Sequence, residues 1–340
     1  MPYRSRPPKD PRKKKRRWPL LLLLLLLLPL VIPVVLVFVT LGKINRDIPI
    51  KEIDRDMIVQ ETIDKTGHED IFAEADEDIR ENFHDVVWSH ADVTNVLIAG
   101  IDLGDGGSAQ EAYARSDAML LLSANRRTKT VSMVSLLRTV YAAIPGFPNT
   151  RLNMAHAYGG PRLLVETVES NYKVKIDHFM TVDFDGFARL VDILGGVTIP
   201  LSAPEWEALV PFFPLLEEGV NELNGAQALA YSRLRWIDSD LARTQRQRNV
   251  LEQLAAKARG MSLGQFSRGV DAILPLVTTD MSSLQLIRLL PYAAYKTQQS
   301  IMPNKQPRPV RVGNVDVLII DWKTEVRGLH ELLYPGLLPE

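Results

Sequence analysis

The 340-residue chain contains no cysteine, which excludes thiolate zinc sites, iron–sulfur clusters, cysteine nucleophiles and structural disulfides. Its six histidines are few, and no Ser-His-Asp arrangement is evident among them; His156 and His178 sit in apolar surroundings and read as structural. No Gly-Lys-Ser/Thr follows the run Gly104-Asp-Gly-Gly107, so that run reads as a flexible turn and not as a phosphate cradle. Net charge is nearly absent as well, at −1 from 40 Lys+Arg against 41 Asp+Glu. The near-zero total conceals a polarised chain: residues 1–17 carry +8, which leaves −9 on everything after them. A mildly acidic bulk lacks the basic footprint of a nucleic-acid binder, so no nucleic-acid partner is expected. No internal repeat is found.

What the sequence does have, at 46% apolar residues, is room for a sizeable core in one large domain or two ordinary ones. It also has one long uncharged run from Pro19 to Leu41, unbroken through Leu20 to Leu28. That is long enough for a hydrocarbon core needing roughly 20 residues. A cleaved signal peptide has an apolar region of only about 7–15 residues and a small-residue cleavage site, whereas Val39-Thr40-Leu41-Gly42 lacks an A-x-A pattern. The run therefore predicts a single transmembrane anchor, kinked at Pro29 and Pro33, which a bilayer tolerates. The basic cluster Arg12 to Arg17 abuts it on the N-terminal side and predicts a cytoplasmic N-terminus with the remaining chain outside the cell. The expected organisation is a basic tail over 1–18, a signal anchor over 19–42, an acidic stem over 43–91, a main domain over 92–326 and a C-terminal tail over 327–340. The stem stretch also fits an ordinary amphipathic helix.

From Asn95 the texture changes to short apolar runs punctuated by glycine and polar turns. Strands are predicted over Asn95–Gly100, Ala118–Ser123, Thr130–Leu136, His178–Val182, Val197–Leu201 and Val315–Ile320. Helices are predicted over Leu163–Asn171, Phe184–Leu194, Asp240–Arg259 and 263–300, the second stopping at Gly195-Gly196. Strands alternating with helices predict an α/β fold, an α-β-α sandwich with helices on both faces of the sheet.

Three stations carry residues suited to chemistry. Asp102, in Gly100-Ile-Asp-Leu-Gly104, and Asp117, in Arg115-Ser-Asp117, each lie beside an apolar strand that a sheet can bring together. Two such carboxylates suit a hard divalent ion, although paired acids beside a glycine loop are also ordinary turn and capping residues. The second station is Ser135-Leu-Leu-Arg138, a cation at a strand end. The third runs from Tyr231 through Arg233, Arg235, Asp238, Asp240, Arg243, Arg246 and Gln247 to Arg248. If its first part is extended, Arg233 and Arg235 share a face, and helical spacing then aligns Asp240, Arg243 and Gln247. Guanidinium groups grip phosphate bidentately and keep their charge, so a cluster of them suits a pyrophosphate. Arg246 and Arg248 fit in part a solvated, salt-bridged helix face.

Together the stations resemble the LytR-CpsA-Psr family of cell-envelope proteins. The resemblance spans about residues 93–325, through Asp102, Arg115-Ser-Asp117, Ser135 to Arg138, Leu152-Asn153 with Ala155 to Gly160, Val182-Asp183-Phe184, Leu194-Gly195-Gly196-Val197 and Tyr231 to Gln247. It implies a sandwich that holds a polyprenyl pyrophosphate, tail in an apolar tunnel and diphosphate on arginines with Mg²⁺ or Mn²⁺. It also implies transfer of a cell-wall glycopolymer, anionic or other, from that lipid carrier to peptidoglycan through a phosphodiester, at the plasma membrane. By position, Asp102 and Asp117 match the metal carboxylates. Arg115, Arg138, Arg233, Arg235, Arg243 and Gln247 match the diphosphate set, with Arg138, Arg233 and Arg235 as the catalytic arginines and Asp240 as an acid bracing them. The family usually carries Ser-Ile-Pro-Arg-Asp at the second station; here Ser135-Leu-Leu-Arg138-Thr139 lacks the proline and the aspartate. A non-catalytic scaffold or regulator that binds polyprenyl phosphate is the alternative expectation.

Overall fold

The computed structural model describes residues 63, 65–83, 86–103, 114–234, 237–260, 274–281, 285 and 289–337. The basic tail, the apolar run and the first part of the acidic stretch lie outside these residues. Among the described residues no helix is long and apolar enough to cross a membrane.

Strand β1 (Val93–Asp102) is apolar along almost its whole length, the pattern of a strand covered on both faces. It pairs antiparallel with β2 (Arg115–Asn125), which pairs antiparallel with β3 (Thr130–Leu136) across the polar turn after Asn125. Two short strands, β4 (Tyr141–Ala142) and β5 (Thr150–Arg151), pair beside it and lead into helix α2. Later come β6 (His178–Asp183), parallel to β1, β9 (Val277–Thr279), antiparallel to β6, and β10 (Lys296–Met302), parallel to β3. The result is one six-stranded mixed sheet in the order β10-β3-β2-β1-β6-β9.

Two layers cover it. Helices α1 (Glu69–Phe83), α2 (Met154–Tyr172) and α7 (Trp322–Leu333) share the larger core, where Phe72, Leu164, Val168 and Leu329 meet Leu97, Ala99 and Leu121 of the sheet. Opposite lie α3 (Phe184–Ile193), α5 (Gly225–Arg233) and α6 (Asp240–Gly260), with the hairpin of β7 (Val197–Leu201) and β8 (Gly219–Leu223) and the short helix α4 (Ala203–Leu209). These hold a second core around Val191, Ile199, Leu223, Tyr231 and Val250. A last hairpin, β11 (Arg308–Val312) with β12 (Val315–Ile319), precedes α7. The expected central sheet with helices on both faces is therefore present.

Several local expectations need correction. Glu69 to Phe83, inside the stretch read as a partly helical stem, is helix α1, but its Phe72, Ala75 and Ile79 are buried in the larger core instead of standing clear of the domain. The tail expected from residue 327 continues α7 instead, burying Leu329, Leu333 and Tyr334. Where helix was expected over 263–300, the described residues hold β9, β10 and short 3-10 turns. Helix α2 starts earlier than its apolar spacing showed because it breaks at Gly159-Gly160-Pro161, where Gly160 has φ +65 and ψ −161, a backbone conformation open to glycine.

Candidate functional site

The two acids of the first station meet because of a bulge. Gly100 pairs with Ala118, but the next residue, Ile101, pairs with Ser116, so Asp117 is the extra residue of β2. Bulges re-aim side chains next to functional sites. Here the bulge lets Asp117 join Asp102, Gly100 and Ile98 along one wall of a cavity of about 600 Å³.

That cavity lies between the sheet and the second core. Its polar end carries Asp102, Arg115, Asp117, Arg233, Arg243 and Gln247; its body is walled by Val182, Phe184, Phe187, Leu209, Leu229 and Leu251. Arg138 Nη1 donates to Asp117 Oδ1 at 3.0 Å, an ion pair mostly shielded from water. Arg233 Nη2 lies 3.4 Å from Asp102 Oδ2, in a more open pair, and its guanidinium rests over the Phe184 ring at 4.3 Å, an attractive cation–π geometry. Arg243 is buried and donates from Nη2 to the backbone oxygen of Asp117 at 3.4 Å. Gln247 follows one turn later on α6 and shares its face. Three stations of distant sequence thus converge: the first and third supply the rim with cations and two carboxylates, and from the second Ser135 lines the cavity while Arg138, not itself a lining residue, reaches the rim through Asp117.

The profile of the LytR_cpsA_psr family matches residues 38–324. The chain belongs to this family. It is 33% identical over 216 residues to the polyisoprenyl-teichoic acid–peptidoglycan teichoic acid transferase TagT of Bacillus subtilis, covering 62% of this chain and 67% of that one. It is 30% identical over 295 residues to the transferase TagU of Oceanobacillus iheyensis, covering 84% of each. Among the relatives compared, the aligned stretch ranges from 47% to 84% of the relative's length. A solved structure of the family protein YwtF (TagT) with bound octaprenyl pyrophosphate lipid superposes with a TM-score of 0.56 at 27% identity, covering 72% of this chain and 91% of that one.

Within this LytR-CpsA-Psr domain, the structure departs from the sequence reading at two places. Arg233 is the last residue of helix α5, not part of an extended segment, and Arg235 lies outside the described residues. Asp240 begins α6. Arg246 and Arg248 are buried, not solvated. Arg246 forms a two-pronged pair with Asp238 at 2.6 and 2.7 Å and reaches Glu205 at 3.4 Å. Burial opposes its charge, but these carboxylates outweigh it and hold the guanidinium above its ordinary range; Arg246 in turn holds Asp238 below the usual carboxylate range. Arg246 is thus a brace between α6, α4 and the chain after α5. Arg248 lines the cavity and donates to Ser300 O at 3.1 Å.

Thr139, in place of the aspartate usual in the family, is buried, and its backbone oxygen accepts from Leu318 N at 2.8 Å. The anion beside Arg138 is Asp117 instead. The aromatic walls Phe184, Phe187, Phe212 and Phe213 escaped the sequence reading as site residues. Their one signal was Phe184 directly after Val182-Asp183.

As a cation site, Asp102 and Asp117 supply two carboxylates, and no cluster of three or more acidic or imidazole groups occurs among the described residues. That set fits Mg²⁺ or Mn²⁺, hard ions that keep waters and take few protein oxygens when phosphate supplies the others. It does not fit an ion needing an all-protein cage.

Proposed function

We propose that this chain transfers a cell-wall glycopolymer from a polyprenyl-pyrophosphate carrier to peptidoglycan, as the names of its relatives describe for them. The observation that carries this reading is one cavity with an apolar chamber and a rim of Arg115, Arg233 and Arg243 facing two acids, with Arg138 paired to Asp117 beside it. The prenyl tail takes the chamber and the diphosphate takes the rim. Arg138 and Arg233 turn from their carboxylates to the phosphate oxygens, Arg243 and Gln247 fix the diphosphate from α6, and Arg235 completes the set. By its position in the family pattern, Asp240 is the acid assigned to support the arginines. Bound between Asp102 and Asp117, Mg²⁺ or Mn²⁺ would neutralise charge on the diphosphate.

The reaction forms a bond between an acceptor sugar oxygen and the phosphorus bearing the glycan. The bond from that phosphorus to the oxygen of polyprenyl phosphate breaks, and the hydroxyl proton is released. Phosphoryl transfer of this kind rests on positioning and electrostatic stabilisation more than on covalent catalysis, which fits the lack of an evident nucleophile triad. The uncharged run over 19–42 and the basic cluster before it support a domain held on the outer face of the plasma membrane with a cytoplasmic N-terminus.

The test is turnover of a purified lipid-linked donor by the full chain. Arg233→Ala, Arg235→Ala and Arg138→Ala should each lower transfer by roughly a hundredfold or more, and Arg138→Lys should restore little because a lysine lacks the planar fork. Thr139 favours the second reading, a polyprenyl-phosphate-binding scaffold. Tight lipid binding with no product under Mg²⁺ or Mn²⁺ would establish that reading and reject transfer.

A further inference from the structure

Between α4 and β8 the chain runs Ala208-Leu-Val-Pro-Phe-Phe-Pro-Leu-Leu216 without a charge, and its tip faces outward. Phe212 is 71% exposed and Leu215 is 93% exposed, whereas Leu209 and Leu216 are buried in the second core. The loop is not loose. Phe212 and Phe213 N–H both donate to Leu209 O at 3.0 Å, Leu216 N–H donates to Phe213 O at 3.0 Å, and Trp206 Nε1 donates to Leu216 O at 2.9 Å. These bonds satisfy part of the loop's backbone internally, which lowers the cost of entering an apolar medium. Phe212 also lines the cavity, so the exposed tip and the chamber wall are continuous. Just beyond the tip, Glu217 and Glu218 are exposed, which limits how deep the loop can go.

We propose that the 208–216 loop seats in the outer leaflet of the bilayer and forms the passage by which a prenyl tail moves from lipid into the cavity. The proposal rests on the lipid-carrier reading above and names the surface that meets the membrane. An exposed apolar patch marks a binding surface for protein or membrane. The bilayer is favoured because the patch opens into an apolar chamber that must receive its ligand from lipid. Between Leu41, the end of the expected anchor, and Ile63, the first described residue, extended chain spans at most roughly 75 Å, so the loop stays within reach of the leaflet.

Because the chain has no cysteine, Leu215→Cys supplies a unique label site. The full chain carrying an environment-sensitive fluorophore there is reconstituted into vesicles of phosphatidylcholine and phosphatidylglycerol containing spin-labelled phosphatidylcholine. The label should emit at shorter wavelength and be quenched by the spin-labelled lipid. The same label at Arg127→Cys, in the turn at the other end of β2, should do neither. Emission typical of water at Leu215→Cys overturns the proposal, and so does shifted emission that spin-labelled lipid leaves unquenched, which would mean that protein covers the loop. In parallel, Leu215→Asp should lower transfer from a vesicle-embedded donor by roughly tenfold while a detergent-dispersed short-chain donor is used at the wild-type rate. Equal rates on the embedded donor overturn the docking. Failure of the wild type to bind either donor refutes the lipid-carrier reading itself, whatever the label reports.

Discussion

Asp102 and Asp117 are each bonded to an arginine that the proposed diphosphate needs, so anion and cation binding are coupled by exchange of partners. When phosphate oxygens take Arg138 and Arg233, the two carboxylates lose a cation apiece and become better ligands for a divalent ion. Coupling free energies of this kind commonly amount to about 1–3 kcal/mol and act equally in both directions. Geranyl pyrophosphate should therefore tighten Mn²⁺ binding, read by the loss of free-Mn²⁺ resonance, by roughly tenfold, and Mn²⁺ should tighten geranyl pyrophosphate by the same factor. Asp117→Asn should reduce both effects. Independent affinities would show that the exchange does not occur. Arg246 behaves differently, since its partners Asp238 and Glu205 lie away from the cavity rim. Arg246→Met should cost about 3 kcal/mol of stability by leaving Asp238 and Glu205 uncompensated, seen as a lower urea midpoint with an unchanged slope.

At the scale of elements, helix α5 is held by one missing side chain. A Cβ at Gly225 would lie 2.0 Å from the carbonyl oxygen of Ala188 on α3, so the two helices touch backbone to backbone. Gly225→Ala forces them apart, at about 2–3 kcal/mol. It also moves Arg233, at the other end of α5, away from Asp102, so transfer should fall together with the urea midpoint. Gly313, with φ +58 and open space around it, is the control: Gly313→Ala should cost only about 1 kcal/mol and leave transfer intact. Contacts such as this one were not legible in the sequence, where Gly225, the first residue of α5, is one more small residue. The strands Thr130–Leu136 and Val197–Leu201 were legible, because a short apolar run bounded by turns has one stable use. The extended reading failed at Tyr231–Arg233 for a physical reason. Asn224 caps the helix reciprocally with Gln227, and that local signal overrides the alternation of arginines after it. The site was legible as charge types at three stations. The bulge that aims Asp117 was not, since it arises from pairing between strands.

For the whole molecule, the larger core keeps imidazoles neutral. His330 donates from Nε2 towards Tyr172 O at 3.2 Å and Lys173 O at 3.1 Å and packs against Trp88 and Tyr334. Burial pushes its pKa below the ordinary histidine value, with those backbone contacts opposing. His156, paired with Ala114 O at 2.7 Å, is shifted the same way by burial. A base with a depressed pKa in the fold binds protons more readily once unfolded, so the stability gained from keeping it neutral is complete above about pH 6.5 and declines as pH falls through that value. Asp238, held low chiefly by Arg246, acts in a separate window: its contribution is present above about pH 4 and is lost only in stronger acid. Unfolding free energy followed by urea titration should thus fall in two stages on acidification. His330→Gln, which keeps a donor for the two carbonyls, should flatten the first stage by up to one proton's worth of slope and leave the second unchanged. A first stage that keeps its full slope in that variant would show that the imidazole is not what the acid finds.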